Sequence, residues 1–546
     1  MGLLLACLPA FALNPALDID QYAHKTWAIR EGFSKGVINA IAQTPDGYLW
    51  LGTEFGLLRF DGIQAVPWSP PGPQVLPGSF VRALFAARDG TLWIGTQTGL
   101  ASWNGARLTR CPEFDGKDVL SILEDRGGEL WVGVVGATGR LCSIRGRQTH
   151  CYGEDGSFGS GVFSLYEDAT GNLWAGDSRG LWRFKPDPPK RYASSPTEIQ
   201  SIVQGDDGKL LMAVMGGVRQ LVSGKIEPYP PAAASAAAYR LLRDRDGGLW
   251  IATYGHGLIH VHQGRTDVFS RTDGLSSDAI LSVFEDREGN IWAATTEGLD
   301  RFRELPVITI SSKQGLSSDR AYSVLVARDG SVWLSGLNGL DRWKDGRVST
   351  FRKADGLPDD LTTSLFEDDG GGLWVATRGG LARFEAGRFV TVDRALGSDA
   401  AITGDAEHLW VSQKRGLLHF ISGRLAEEFP WPQLGSDGRA GALAVDRKRG
   451  GLWLGFYSGL AYLQDGQVRA RYTRANGLGG EHVADVQLGR TDALWAATEG
   501  GLSVIRQGRI QTLSSKNGLP CDVVHWRTRG DDGSVWLYMS CGLVRI

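Results

Sequence analysis

The chain has 546 residues, 42% apolar and 22% charged, with a net charge of −3. That length suits two or three domains with real cores, and without a long basic run nucleic acid is excluded as a partner. The 75 glycines, placed at turn positions, and the 19 tryptophans point to many short strands joined by tight turns.

Leu3 to Ala12 is a short apolar run closing on Ala10-Phe11-Ala12, a small-x-small cleavage pattern. Residues 1–12 therefore read as the remnant of a secretory signal peptide lacking its charged start. Leu4-Leu5-Ala6-Cys7 also reads as a lipoprotein site, although Cys7 lies close to Met1 for one. No later stretch carries 18 apolar residues.

Next comes Tyr22-Ala-His-Lys-Thr-Trp-Ala-Ile29, which looks like an outer strand without inner strands of its own. It is expected to close a ring by joining the blade that contains Trp292. From there a repeat takes over. Asp46-Gly-Tyr-Leu-Trp-Leu-Gly-Thr-Glu-Phe-Gly-Leu57 returns as Asp89-Gly-Thr-Leu-Trp-Ile-Gly-Thr-Gln-Thr-Gly-Leu100. The same pattern places Trp at 131, 174, 250, 292, 333, 374, 410, 453, 495 and 536, with Leu211 in one degenerate copy. Spacings of 36 to 43 residues are the period of a four-stranded propeller blade.

One copy shows the grammar. Ala279 to Glu285 is an apolar inner strand, Asn290 to Thr295 the second and Leu299 to Phe302 the third. Gly346 to Phe351 illustrates the outer strand. Such a blade cannot bury both faces alone, so the recurrent Trp reads as core between blades. No segment holds a helical period over 12 residues without Gly or Pro.

The expected fold is all-β: two tandem β-propellers of four-stranded blades, the first seven-bladed, the second of the seven-bladed type and one blade short. Residues 13–305 form the first propeller and 306–546 the second, with six motifs. Val307 to Ile310 is expected to close the second ring as Tyr22 to Ile29 closes the first.

Thirteen D-G-x-L-W-x-G-T-x-x-G-L copies, with Cys151 to Phe158, Gly298 to Phe302 and Ser540 to Ile546, resemble the two-component regulator propeller family. The resemblance covers residues 20–546. It implies the periplasmic sensor region of a bacterial histidine kinase or diguanylate cyclase, feeding a phosphorelay. Relatives add a last blade, a small β-sandwich, a membrane helix and a kinase or cyclase, so the chain's own C-terminal part is an implied partner. A small-molecule or oligosaccharide ligand and a homodimer are implied as well. No kinase or cyclase motif occurs in these residues; no catalytic residue, cofactor or metal is assigned.

Candidate ligand contacts fall on loops of one face. The Asp-Gly-Leu-x-x-Asp connections bring Asp278, Asp319 and Asp360, and the turns after second strands bring Arg179, Tyr254, His256, Arg378, Arg415 and Tyr457. Aromatics beside charges suit a sugar or polyanion, and the Asp residues would equally satisfy turn amides. His260 and His262 share one side of a strand, read as surface histidines because no carboxylate follows at a helpful spacing. Cys142 with Cys151, and Cys521 with Cys541, are disulfide candidates; Cys111 is left over. The rival readings are a secreted propeller lyase or glycosidase and a protein-docking scaffold. The sialidase box S-x-D-x-G-x-x-W differs from Asp168-Ala-Thr-Gly171.

Overall fold

The computed structural model describes residues 13–14, 17–146, 148–185, 188–195, 197–230, 236–304, 310–393, 400–405, 407–489, 493–529 and 535–545. Among these, the strands make antiparallel sheets, twelve of four strands and one of three, all but one built from consecutive strands. The chain is an all-β propeller protein. It divides into two compact units, Met1–Thr309 and Ile310–Ile546.

One sheet departs from consecutive order. Ala23–Ala28 runs antiparallel to Gly298–Arg303, with Trp27 opposite Leu299, and so becomes the outer strand of the sheet containing Trp292. The inner strand of that sheet, Ile280–Glu285, packs against the first inner strand, Ile38–Gln43. The ring of the first unit is thereby closed. Of Val307 to Ile310, the first three residues lie outside the described residues, and Ile310 is not in a strand. The first sheet of the second unit leaves Val324 58% exposed, whereas its counterpart Leu365 in the next sheet is 8% exposed against Trp333.

Most recurrent tryptophans are buried, and a carboxylate holds several of them. The indole N–H donates to the Asp six residues earlier: Trp131 to Asp125 at 3.0 Å, Trp174 to Asp168 at 2.8 Å, Trp250 to Asp244 and Trp292 to Asp286 at 2.7 Å, and Trp374 to Asp368 at 3.0 Å. The same Asp caps the turn between the first two strands, as where Asp168 accepts from the Thr170 and Asn172 amides, both at 2.9 Å. Burial pushes the Asp168 carboxyl up, but hydrogen bonds from Trp174, Asn172 and Thr170 win and hold it at about 2. In several blades an Arg guanidinium lies near the indole face, as Arg301 does at Trp292, 5.4 Å away.

The sheets are also tied edge to edge. The Arg126 amide donates to Glu167 of the next sheet at 2.9 Å, and its guanidinium reaches the Ala169 carbonyl at 2.9 Å. Arg245 repeats this with Glu285 and Arg287. Across the closing seam the Arg287 amide donates to Gln43 at 2.7 Å and its guanidinium to the Pro45 carbonyl at 2.9 Å.

Cys142 and Cys151 are register partners on neighbouring strands, Cα atoms 4.1 Å apart, and are bonded. Serine at both positions is expected to lower stability by about 2–3 kcal/mol, the chain-entropy value for so short a loop. Thermal melts with and without reductant, both on a Cys521→Ser, Cys541→Ser background, check this: the parent should fall to the level of the variant that also lacks Cys142 and Cys151, which should not respond. Cys521 and Cys541 are also bonded, joining the loop before Val524 to the turn after Met539 rather than two strands. Cys111 is a half-buried thiol.

Candidate functional site

Each unit holds a cavity bounded by its inner strands. In the first unit it measures about 230 Å³ and is lined by Asn39, Arg82, Ser121, Ser164, Gln200, Ser201, Arg240 and Ser282, among others. Arg240 donates to the Gln200 carbonyl at 2.6 Å, and Arg82 lies 3.4 Å from Asp118. This channel is small and polar.

The second unit has a cavity of about 1180 Å³. Tyr322, Trp526 and Tyr538 line it with Arg378, Arg439 and Asp485. Rings and cations converging on one hollow can stack on a flat ligand and bind its anionic or hydroxyl groups. Burial pushes the Asp485 carboxyl up to about 6, against hydrogen bonds from the Arg527 and Val486 amides and the Gln487 side chain. A carboxyl poised there can change charge near neutral pH. Arg378 projects from the turn after Leu373–Thr377, with a nitrogen 3.3 Å from Asp359, and its side chain stays 59% exposed.

Of the nine candidates read from sequence, Arg378 lines this hollow. The Asp candidates are engaged in their own turns. Asp278 accepts from the Arg271 amide at 2.7 Å, Asp319 from the Ser312 amide at 2.6 Å and Asp360 from the Lys353 amide at 2.8 Å. These bonds staple the Asp-Gly-Leu-x-x-Asp loop, and at Asp319 they hold the carboxyl below its usual range. Tyr254, His256, Arg415 and Tyr457 are exposed, Tyr457 lying flat on His482 at 4.1 Å. The Arg179 amide donates to Asp177 at 2.7 Å.

The histidine reading needs correction. His260 and His262 are buried, 1% and 3% exposed. His260 stacks on Trp250 at 4.0 Å, in the place an Arg takes in other blades, and His262 stacks on His260 at 4.3 Å. A carboxylate does reach them: Asp267, facing His260 across the next hairpin, accepts or shares a hydrogen bond with His262 at 2.7 Å. The ligand atoms of His260, His262 and Asp267 lie within 4.8 Å of one another.

Sequence reasoning missed Arg240, Asp485, Trp526 and Tyr538. A signal was present. Ten residues before the repeat Trp stand Ser121, Ser164, Ser282, Ser323 and Ser364, all facing a channel. At that same place Arg240, Asp485 and Trp526 replace the small residue.

Residues 32–55, 75–98, 234–255 and 274–297 match the two component regulator propeller family. No curated protein matches the chain. Among solved structures, the extracellular domain of BT3049 from B. thetaiotaomicron, assigned to a hybrid two component system, is 18% identical with a TM-score of 0.74. The alignment covers 96% of this chain and 78% of that one, and it shows a shared fold. The extracellular domain of BT4673 from the same organism is 19% identical with a TM-score of 0.45, covering 97% and 78%. Virginiamycin B lyase from Staphylococcus aureus is 14% or less identical with a TM-score of 0.43, covering 52% of this chain and 100% of its own. By its repeat and its blades, the chain is a β-propeller protein, and four of its segments are similar to the two component regulator propeller family.

Proposed function

We propose that the chain is the ligand-sensing, extracytoplasmic part of a two-component signal-transduction receptor, and that its ligand sits in the hollow of the second unit. One observation carries the reading: of the two channels, this one is about 1180 Å³ and combines three aromatic rings with Arg378, Arg439 and Asp485. The BT3049 domain, with the same fold over most of its length, supports the extracytoplasmic sensor role. The ligand class is an oligosaccharide or another small molecule with acidic or hydroxyl groups. Signalling then requires that the ligand bind one signalling state better than the other.

A thermal-shift screen of the purified chain against acidic and neutral glycans, followed by calorimetry and turnover assays on each hit, tests this. Binding without turnover is expected. Arg378→Ala or Trp526→Ala should weaken a hit about tenfold or more, or about 1.4 kcal/mol. Turnover of a hit, or affinity unmoved by both substitutions, counts against the reading.

A further inference from the structure

Leu13 is 2% exposed and shares one core with Leu17, Ile19, Tyr22, Trp250 and Phe302. Its backbone nitrogen lies 2.9 Å from Oδ2 of Asp246. Two more polar ties follow: Asp18 pairs with Arg265 at 2.9 Å, and the Ile19 amide donates to Asp267 at 3.2 Å. Leu13, Leu17, Ile19 and Tyr22 thus form a strap over the sheet that contains Trp250, ahead of the strand Ala23–Ala28 that closes the ring.

Immediately before the strap stands the apolar run ending in Ala10-Phe11-Ala12, the small-x-small pattern at which secretory leaders are cut. Two independent observations thus meet at one bond. The sequence offers a cleavage site between Ala12 and Leu13, and the fold presents a carboxylate to the nitrogen that such a cut would release.

We propose that the chain is processed between Ala12 and Leu13, and that the new α-ammonium of Leu13 is captured by Asp246 as an ion pair that locks the strap. Cleavage is hydrolysis: water adds across the amide, Ala12 leaves as a carboxylate, and Leu13 keeps the nitrogen as an amine. That amine is protonated below about pH 8. A neutral amide donor thereby becomes a charged one, and hydrogen bonds from charged donors are roughly twice as strong. The surroundings favour a cation. Asp18, Asp244, Asp246, Asp267 and Glu304 stand about the strap against Arg265, with His260 and His262 packed beneath. Burial and then Asp244, Asp267, Glu304 and Asp246 hold the Tyr22 hydroxyl well above its usual range, which reports the same negative field. The inference does not depend on what ligand the second unit binds.

Two measurements test it. Mass-spectrometric sequencing of the exported full chain should find Leu13 first; a mature protein starting elsewhere, or keeping Met1, overturns the proposal. Separately, chain released to begin at Leu13 is melted with its α-amine free or acetylated. The free-amine form should melt at least about 2 °C higher at pH 7. The gap should close above the amine's pKa and vanish in Asp246→Asn. Equal melting of the two forms, or a gap that survives Asp246→Asn, overturns the ion pair.

Discussion

Alanine at Trp292 is expected to destabilise the first unit by about 3–5 kcal/mol. Trp292 is 2% exposed and sits where the closing sheet meets the first one, 5.5 Å from Trp27 and edge-on to Phe60 at 5.6 Å. Removing the ring opens a cavity that backbones on both sides of the seam hold open. It also takes a donor from Asp286, a carboxylate only 3% exposed. Phenylalanine separates the two effects. It fills most of the space and lacks the N–H, so Trp292→Phe should lose about 1–3 kcal/mol. Denaturant unfolding followed by hydrogen exchange of the first unit's strands checks both. No loss for phenylalanine would mean that the hydrogen bond carries nothing, and a loss for alanine no larger than that for phenylalanine would mean that the seam collapses freely.

Acidification should reveal His260. Burial, with His262 and Arg265 adding to it and Asp267 opposing, pushes its pKa down to about 3. The unfolded value is about 6.5. Between these pH values the unfolded chain binds the extra proton, so stability rises with pH across the window and is lost as pH falls from about 6.5 toward 3. At pH 5 the loss from this group is about 2 kcal/mol. Glu285 acts the other way. Burial pushes its carboxyl up to about 7, so over about pH 4.5 to 7 the folded chain binds the extra proton and stability falls as pH rises. The wild-type profile alone is therefore uninformative. The measure is the difference between wild type and His260→Gln: the variant loses stacking at every pH, and its deficit should shrink by about 2 kcal/mol from pH 7 to pH 5. A deficit constant with pH would mean that His260 protonates in the folded state as easily as in water.

The blade was legible because its rules are local. A Trp every forty residues, Asp-Gly turns and short apolar strands lie within one copy, and each copy can be read by itself. The channel was less legible, since what lines it depends on which copy departs from the others. Asp485 and Trp526 stand out only against the serines at the same place in other copies. The histidines were misread for another reason. Nothing near His260 announces that a strap from residue 13 onward, more than two hundred residues upstream, covers it. The Asp-Gly-Leu-x-x-Asp carboxylates show the reverse: they looked available to a ligand and are spent on amides seven residues back.

The strand Ala23–Ala28 is made first and docked last. When the ribosome has produced it, its partner Gly298–Arg303 does not yet exist, and about 270 residues must follow. Until then its edge stands unpaired, and the first six sheets form an open arc. Bringing the ends together over such a distance is entropically slow, yet each doubling of the span adds only about 0.6 kcal/mol. A nascent ring of this kind gains its final cooperativity in one event near the end of translation of that unit. A chain stalled before residue 298 should therefore be far more open to proteases than one a few dozen residues longer.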